Sequence, residues 1–276
     1  MLELPEAHVL AKQMKETLVG KTIRNAVANN HHHDSAWHWG DPAKYGKLLN
    51  GKKITDTAAF AGRPEIQAEN MHISFIDGVN VRYLAPGKKR LPKYQLLLEF
   101  EDGSAICCIV KKYGWIWVFP DGANDDFYYT VTKEKPSPLT EEFNEAYFDS
   151  LFHVDARPTI SAKAFLTTKQ RIPGLGNGVL YDILFNARIH PKRKLETIGD
   201  IERGALFTAV KTTLKTMIDK GGRDTEKDLF NQPGGYQSIL LKNKLNLPCH
   251  ACGTIFTQQI FLGGEIYFCG GCQPLD

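Results

Sequence analysis

Four of the six cysteines in this 276-residue chain fall as Cys249-x-x-Cys252, sixteen residues, then Cys269-x-x-Cys272. Each Cys-x-x-Cys turn offers two sulfurs to one tetrahedral ion, and this spacing is that of a four-thiolate zinc site. The intervening residues suit a β-hairpin, with Gln258–Leu262 and Glu265–Phe268 as strands and Gly263-Gly264 as the turn. Four thiolates close the coordination shell, so the Zn2+ expected here is a single structural ion. Disulfides are the competing explanation, and a cytoplasmic chain argues against them. Cys107 and Cys108 lie in an apolar run and read as packing, while His31-His32-His33 reads as a polar loop.

A second pattern with chemical meaning is Gln170–Pro191, QRIPGLGNGVLYDILFNARIHP. Gly174, Gly176 and Gly178 surround Asn177 just before a helix begins. Glycines let a backbone approach another chain closely, and a helix N-terminus presents unpaired N–H groups to an anion such as a nucleic-acid phosphate. Taken alone, such a Gly-rich start is often only a tight turn.

The elements that must position these residues divide the chain. Apolar Val9, Leu10, Met14 and Leu18 give Glu6–Leu18 the stripe of an amphipathic helix, ended by Gly20. From Thr22 to Pro120 the sequence reads as short strands, among them Ile23–Val27, His72–Ile76, Asn80–Leu84, Tyr94–Phe100, Ser104–Val110 and Trp115–Phe119. Asp77-Gly78, Pro86-Gly87 and Asp102-Gly103 read as turns between them, the last as the clearest hairpin. Lys133–Pro138 is charged and proline-containing and reads as a linker. Beyond it the period is helical over Thr140–Leu151, Ser161–Lys169, Gly178–Ala187 and Asp200–Lys220. The fold class expected is α+β: an N-terminal helix and β-sandwich over 1–132, a linker over 133–138, a helical domain over 139–245 and a zinc finger over 246–276.

Composition agrees. With 42% apolar and 24% charged residues the chain is globular, and it has no run of about 18 apolar residues that would cross a membrane. The first twenty residues carry charges every few positions and lack the apolar core of a signal peptide, so a cytoplasmic protein is expected. Residues 151–276 hold sixteen Lys/Arg against eleven Asp/Glu, and residues 1–150 eighteen against twenty. A basic second half makes an anionic partner a reasonable hypothesis.

In combination, MLELPEA at the start, PGLGNGVLYDILFNARIHP in the middle and the four-cysteine tail resemble the Fpg/Nei family of DNA glycosylases. That family begins M-P-E-L-P-E, carries a helix–two-turn–helix element with G-[ILV]-G-N-x-Y and I-H-P, and closes with a zinc finger of the same cysteine spacing. Gly20-Lys-Thr-Ile, the hairpin at Leu97–Gly103, Pro138–Phe143 and Gly221-Gly222-Arg223 ahead of Lys227-Asp228-Leu229 match in order. The resemblance implies a monomeric DNA-repair protein whose two domains face double-stranded DNA across a cleft and flip a damaged nucleotide out of the stack. It further implies that the N-terminal amine attacks C1′ of the sugar, forms a Schiff base and allows strand cleavage by β-elimination. Glu3 matches the glutamate that transfers protons on the sugar, and Glu6 the second motif glutamate, which supports the site. Gly176 and Asn177 match the DNA-contacting junction. Lys111-Lys112-Tyr113-Gly114 matches the family's R-R-F-G loop, which makes Lys112 and Tyr113 the cation and aromatic wedge that fill the gap left by the flipped base. A bacterial-type, nucleoid-associated protein follows.

Three departures bear on this. Position 2 is Leu2 where the family has its catalytic proline, and methionine is usually kept before leucine, which puts the free amine on Met1. One residue is up to about 3.5 Å of chain, and a misplacement of about 1 Å can cost about a hundredfold in rate. The family's phosphate-contacting lysine falls near Glu69 on the favoured alignment, or at Lys93 if the K-Y-L-L-L-E-L strand is matched locally. Glu265 stands on the finger hairpin where the family has an arginine. Three readings stay open: a glycosylase with AP lyase activity through the N-terminal amine, a catalytically impaired binder of damaged DNA on the same scaffold, and a binder of another nucleic acid. The first ranks highest because the family is overwhelmingly catalytic.

Overall fold

The computed structural model describes residues 1–153 and 159–275. They form two compact units, Met1–Lys133 with Lys220–Tyr236, and Glu134–Asp219 with Gln237–Asp276. The cut differs from the sequence expectation, because residues 220–236 join the first unit and the cysteine hairpin clusters with the helices.

In the first unit, helix α1 (Leu4–Leu18) places Leu10, Met14 and Leu18 in the main core. Seven strands follow: β1 (Ile23–Ala28), β2 (Ala36–His38), β3 (Ile54–Phe60), β4 (Arg63–Ala68), β5 (Met71–Leu84), β6 (Leu96–Phe100) and β7 (Ala105–Pro120), with the short helix α2 (Tyr45–Leu49) after β2. They make one sheet in the order β1-β6-β7-β5-β4-β3, with β2 added in parallel to β7. One half of the β5–β7 pair joins Met71–Asp77 to Gly114–Pro120, and the other joins Val79–Leu84 to Ala105–Val110. Alternate side chains from both halves, Ile73 and Phe75 with Val81, Ile106 and Val118, enter the same apolar cluster. The sheet therefore folds over on itself as a sandwich.

This corrects one expectation. Asp77-Gly78 is not a turn between two strands but an irregularity inside β5. Pairing jumps from Val79↔Val110 to Asp77↔Gly114, so Lys111, Lys112 and Tyr113 of β7 face Gly78 alone. A Cβ on Gly78 would lie 2.4 Å from the Tyr113 carbonyl oxygen, so only glycine fits. The Asp102-Gly103 turn does close a hairpin: Gly103 has φ +81°, and Asp102 accepts from the Ser104 N–H and hydroxyl.

The segment 220–236 docks through Leu229, which is fully buried in the main core. The Gln13 side chain on α1 accepts from the Leu229 N–H and donates to Asp228, and the Leu229 carbonyl accepts from the Tyr83 N–H. Helix α3 (Phe127–Glu134) ends this unit's first stretch, so the expected linker starts inside a helix.

The second unit contains α4 (Glu145–His153), α5 (Ala162–Thr167), α6 (Asn177–Asn186), α7 (Asp200–Asp219) and the hairpin β8 (Phe256–Phe261) and β9 (Gly264–Cys269). Helix α6 is buried nearly all round, with Val179, Leu180, Ile183 and Leu184 fully buried, as its apolar sequence requires. Ser161 caps α5 by accepting from the Ala164 N–H. No helix among the described residues is long and apolar enough to cross a membrane.

Candidate active site and metal centre

The start of the chain is held down at every residue. The Leu2 N–H donates to the Asp77 carbonyl at 2.7 Å, and the Leu2 side chain packs against the core. Glu3 caps α1: its side chain accepts from the Glu6 N–H while Glu6 accepts from the Glu3 N–H at 3.3 Å. Both carboxylates are buried, and both face Arg223. The guanidinium donates from Nε and Nη2 to the two oxygens of Glu6 at 2.9 and 2.6 Å and from Nη2 to the Met1 carbonyl at 3.3 Å. Its Nη1 lies 3.7 Å from Glu3. Burial alone would lower the Arg223 pKa, but Glu3 and Glu6 more than reverse this, so the guanidinium is held charged. The Met1 amine pairs with Glu226 at 2.6 Å.

Beside this terminus lies a cavity of about 300 Å³ lined by Met1, Leu2, Glu6, Asp77 and Gly78, by Lys111 and Lys112, and by Glu226 and Lys227. Burial raises the pKa of Asp77, opposed by the nearby Arg63 and the terminal amine. An amine, two lysines and a carboxyl group around one cavity can engage an anionic, electrophilic substrate.

The sequence-expected residues fall into three places. Met1, Leu2, Glu6 and Lys112 line this cavity. Glu3 lies behind it against Arg223, and Tyr113 follows Lys112 in the chain, its phenol pKa raised by burial and then by Asp77 and Glu3. Gly176 and Asn177 lie in the second unit, where Gly176 is the N-cap of α6 and Asn177 its exposed first residue. The cysteines form the third. Glu69 is elsewhere, in the β4–β5 turn with φ +54°, accepting from the Lys53 N–H at 3.0 Å and paired with Lys52. Sequence reasoning gave no role to Glu226, Asp77 or Arg223. Of these only Arg223 carried a signal, through its place after Gly221-Gly222, both at positive φ.

Cys249, Cys252, Cys269 and Cys272 bring their sulfurs within 4.8 Å of one another. The Cys252–Cys269 and Cys249–Cys272 separations are 3.4 and 3.8 Å, against about 3.8 Å for the edge of a tetrahedron with metal–sulfur bonds of about 2.3 Å. The Ala251 and Cys272 N–H groups donate to the sulfurs of Cys249 and Cys269, each at 3.4 Å, as thiolate ligands need. The donor set fits a metal ion. Gln273 couples this centre to the helices, accepting from the Cys269 N–H and donating to the Ile189 carbonyl, both at 2.9 Å. His190, next in sequence, is buried against Phe268, and burial followed by the charge of Lys192 lowers its pKa to about 4. Glu265, expected to stand in place of an arginine, is occupied by Gln258 at 2.7 Å, Lys242 at 3.2 Å and the Tyr267 hydroxyl. Its pKa is lowered, chiefly by Tyr267.

A folded sheet with a terminal-amine cavity, accompanied by a helical unit bearing a four-cysteine hairpin, is an architecture already seen in solved structures. MutM (Fpg) from Thermus thermophilus superposes with a TM-score of 0.80 at 22% identity over 98% of each chain. Lactococcus lactis Fpg in complex with DNA containing an abasic site gives 0.83 at 21% identity, over 98% of this chain and 99% of that one. The profile of the formamidopyrimidine-DNA glycosylase H2TH domain matches residues 135–228. Formamidopyrimidine-DNA glycosylases of Shouchella clausii, 25% identical over 99% of both chains, and of Wolbachia pipientis from Culex pipiens, 28% identical over 99% of this chain and all of the other, align end to end. The chain thus carries a formamidopyrimidine-DNA glycosylase H2TH domain over residues 135–228 and is similar to Fpg proteins along its length.

Proposed function

We propose that this protein is a DNA-repair glycosylase that recognises damaged bases or abasic sites in duplex DNA and cleaves the strand through its N-terminal amine. The observation that carries the reading is the Met1 amine at the wall of a cavity that also holds Asp77, Lys111 and Lys112. The deprotonated amine nitrogen bonds to C1′ as the base leaves, and the C1′–O4′ ring bond then opens with a proton going to O4′; at an abasic site the ring-opened carbinolamine reaches the same state by losing water. The resulting iminium makes the C2′ hydrogen acidic enough for β-elimination, and the 3′ phosphate leaves. Glu3 supplies proton transfer on the sugar, and Glu6 with Arg223 fixes Glu3 in place. Lys112 and Tyr113, on the segment displaced opposite Gly78, serve as cation and wedge. Gly176 and Asn177 offer the start of α6 to a backbone phosphate. The four cysteines hold one structural Zn2+, which supplies folding energy to the hairpin and no chemistry. The protein acts as a monomer in the cytoplasm of a bacterial-type cell, at the nucleoid.

Borohydride trapping on duplexes carrying an abasic site or an oxidised base tests this, using a native terminus whose first residue is read by mass spectrometry. An adduct on Met1 or Leu2 with base release supports the reading. Tight binding with neither adduct nor release sinks it in favour of a damage-binding protein. That second reading draws on one observation: the amine is already engaged by Glu226 and the Leu2 nitrogen by Asp77.

A further inference from the structure

The outer face of the β2–β7 edge carries an aromatic row that the cavity does not use. Parallel pairing sets Trp37 opposite Trp115, and their rings stack with centroids 4.5 Å apart and planes 30° apart. Farther along the same face Trp39, Trp117 and Phe119 pack on one another, and Tyr129 of α3 covers that end. The near end is open. Trp37 is 42% exposed and Tyr113, whose ring meets Trp115 edge-on at 6.1 Å, is 37% exposed.

If this were only the frayed edge of a core cluster, folding would favour covering a tryptophan that contributes so much apolar area, or replacing it. Instead the strand that carries Tyr113 and Trp115 also carries Lys111 and Lys112, both exposed and immediately before Tyr113 in sequence. A flat π-surface on a strand with two exposed cations matches a nucleobase and a phosphate backbone that runs past it. Stacking on aromatic side chains with nearby backbone-tracking cations is how proteins hold unpaired bases whatever their identity.

We infer that the exposed face of the Trp37–Trp115 stack is a stacking site for an unpaired base of a locally opened duplex, additional to the cavity at the terminus and next to the wedge at Tyr113. The site rests on the DNA-repair reading. It would hold the base that loses its partner, or its neighbour, while Tyr113 occupies the gap.

The test compares wild type, Trp37→Ala and Trp37→Phe for binding to a labelled duplex with a single-base bulge and to the same duplex fully paired, following tryptophan fluorescence in parallel. The expected result is about tenfold weaker binding of the bulged duplex by Trp37→Ala, unchanged binding of the paired duplex, and near-wild-type binding by Trp37→Phe. The bulged duplex should quench wild type more than the paired one does, and the excess should vanish in both variants. Equal affinity of wild type and Trp37→Ala for the bulged duplex, with no excess quenching, overturns the site while leaving DNA recognition intact. Failure of wild type to bind either duplex overturns both. If Trp37→Ala does not fold, Trp37→Phe decides through the quenching alone: an excess equal to that of wild type refutes the site.

Discussion

Arg223 forks onto Glu6 with two donors on two oxygens, at 2.9 and 2.6 Å, and both side chains are 4% exposed. A buried pair of this kind is weak evidence for net stability, but removing one partner leaves an uncompensated charge and costs about 3–5 kcal/mol. Arg223→Met should therefore lower the unfolding free energy measured by urea titration by an amount of that order. Adding Glu6→Gln to it should recover part of the loss, because the stranded carboxylate is then gone. Arg223→Lys should fall between, since an ammonium cannot match both oxygens at once.

The Met1–Glu226 pair makes a different forecast. An amine engaged as an ion pair is not free to attack carbon, so Glu226→Gln should speed borohydride trapping at neutral pH. The side chains are 42% and 29% exposed, and pairs in that setting are worth about 0.2–1 kcal/mol, so the gain should not exceed about fivefold. A slower reaction in Glu226→Gln would mean instead that the carboxylate orients the amine productively.

Metal removal should act on the second unit alone. Chelation is expected to unfold β8–β9 and abolish DNA binding, while the sheet unit keeps its own thermal transition. Metal analysis should return one zinc per chain, and none in Cys252→Ser/Cys269→Ser. Gly271 offers a finer probe: a Cβ there would lie 2.4 Å from the Thr254 hydroxyl and 3.0 Å from the Cys252 sulfur. Gly271→Ala should loosen the metal, and Thr254→Ala should restore part of the affinity.

A pH-dependent contribution is built into the sheet. His72 stacks on Phe119 and lies between Glu65 at 2.8 Å and Asp121 at 2.5 Å, and hydrogen bonding to Glu65 leads the causes that raise its pKa above 6.5. A raised histidine pKa adds stability that is fully present below the unfolded value of about 6.5 and is lost as pH rises through the folded one. The melting temperature of wild type minus that of His72→Gln should accordingly be largest near pH 5.5 and shrink toward pH 8.5. A difference that stays flat would remove the charged pair from the account.

Much of this was readable because it is local. Cysteine spacing, the stripe of α1 and the Asp102-Gly103 turn are set by residues within a few positions, and the structure has each where those rules put it. Asp77-Gly78 misled for the same reason: its turn chemistry is real, but long pairing with β7 outweighs it and turns a stop into a bulge. Trp37, Glu226 and Arg223 were invisible as partners because each meets its neighbour across dozens to hundreds of residues. No periodicity marks such a meeting. The placement of residues 220–236 with the sheet is a case of this, since Leu229 looks like any other loop leucine until its core is known.

That placement also sets a schedule. Glu6 waits 217 residues for Arg223, which at ribosomal speeds of roughly 5–20 residues per second is about ten to forty seconds. Throughout that interval the nascent sheet unit has two carboxylates without their cation and a core without Leu229. The helical unit must be largely synthesised before the first unit can be finished. A chain cut after residue 133 is therefore not a domain but an unfinished one, and a fragment meant to stand for it has to carry residues 220–236 back in.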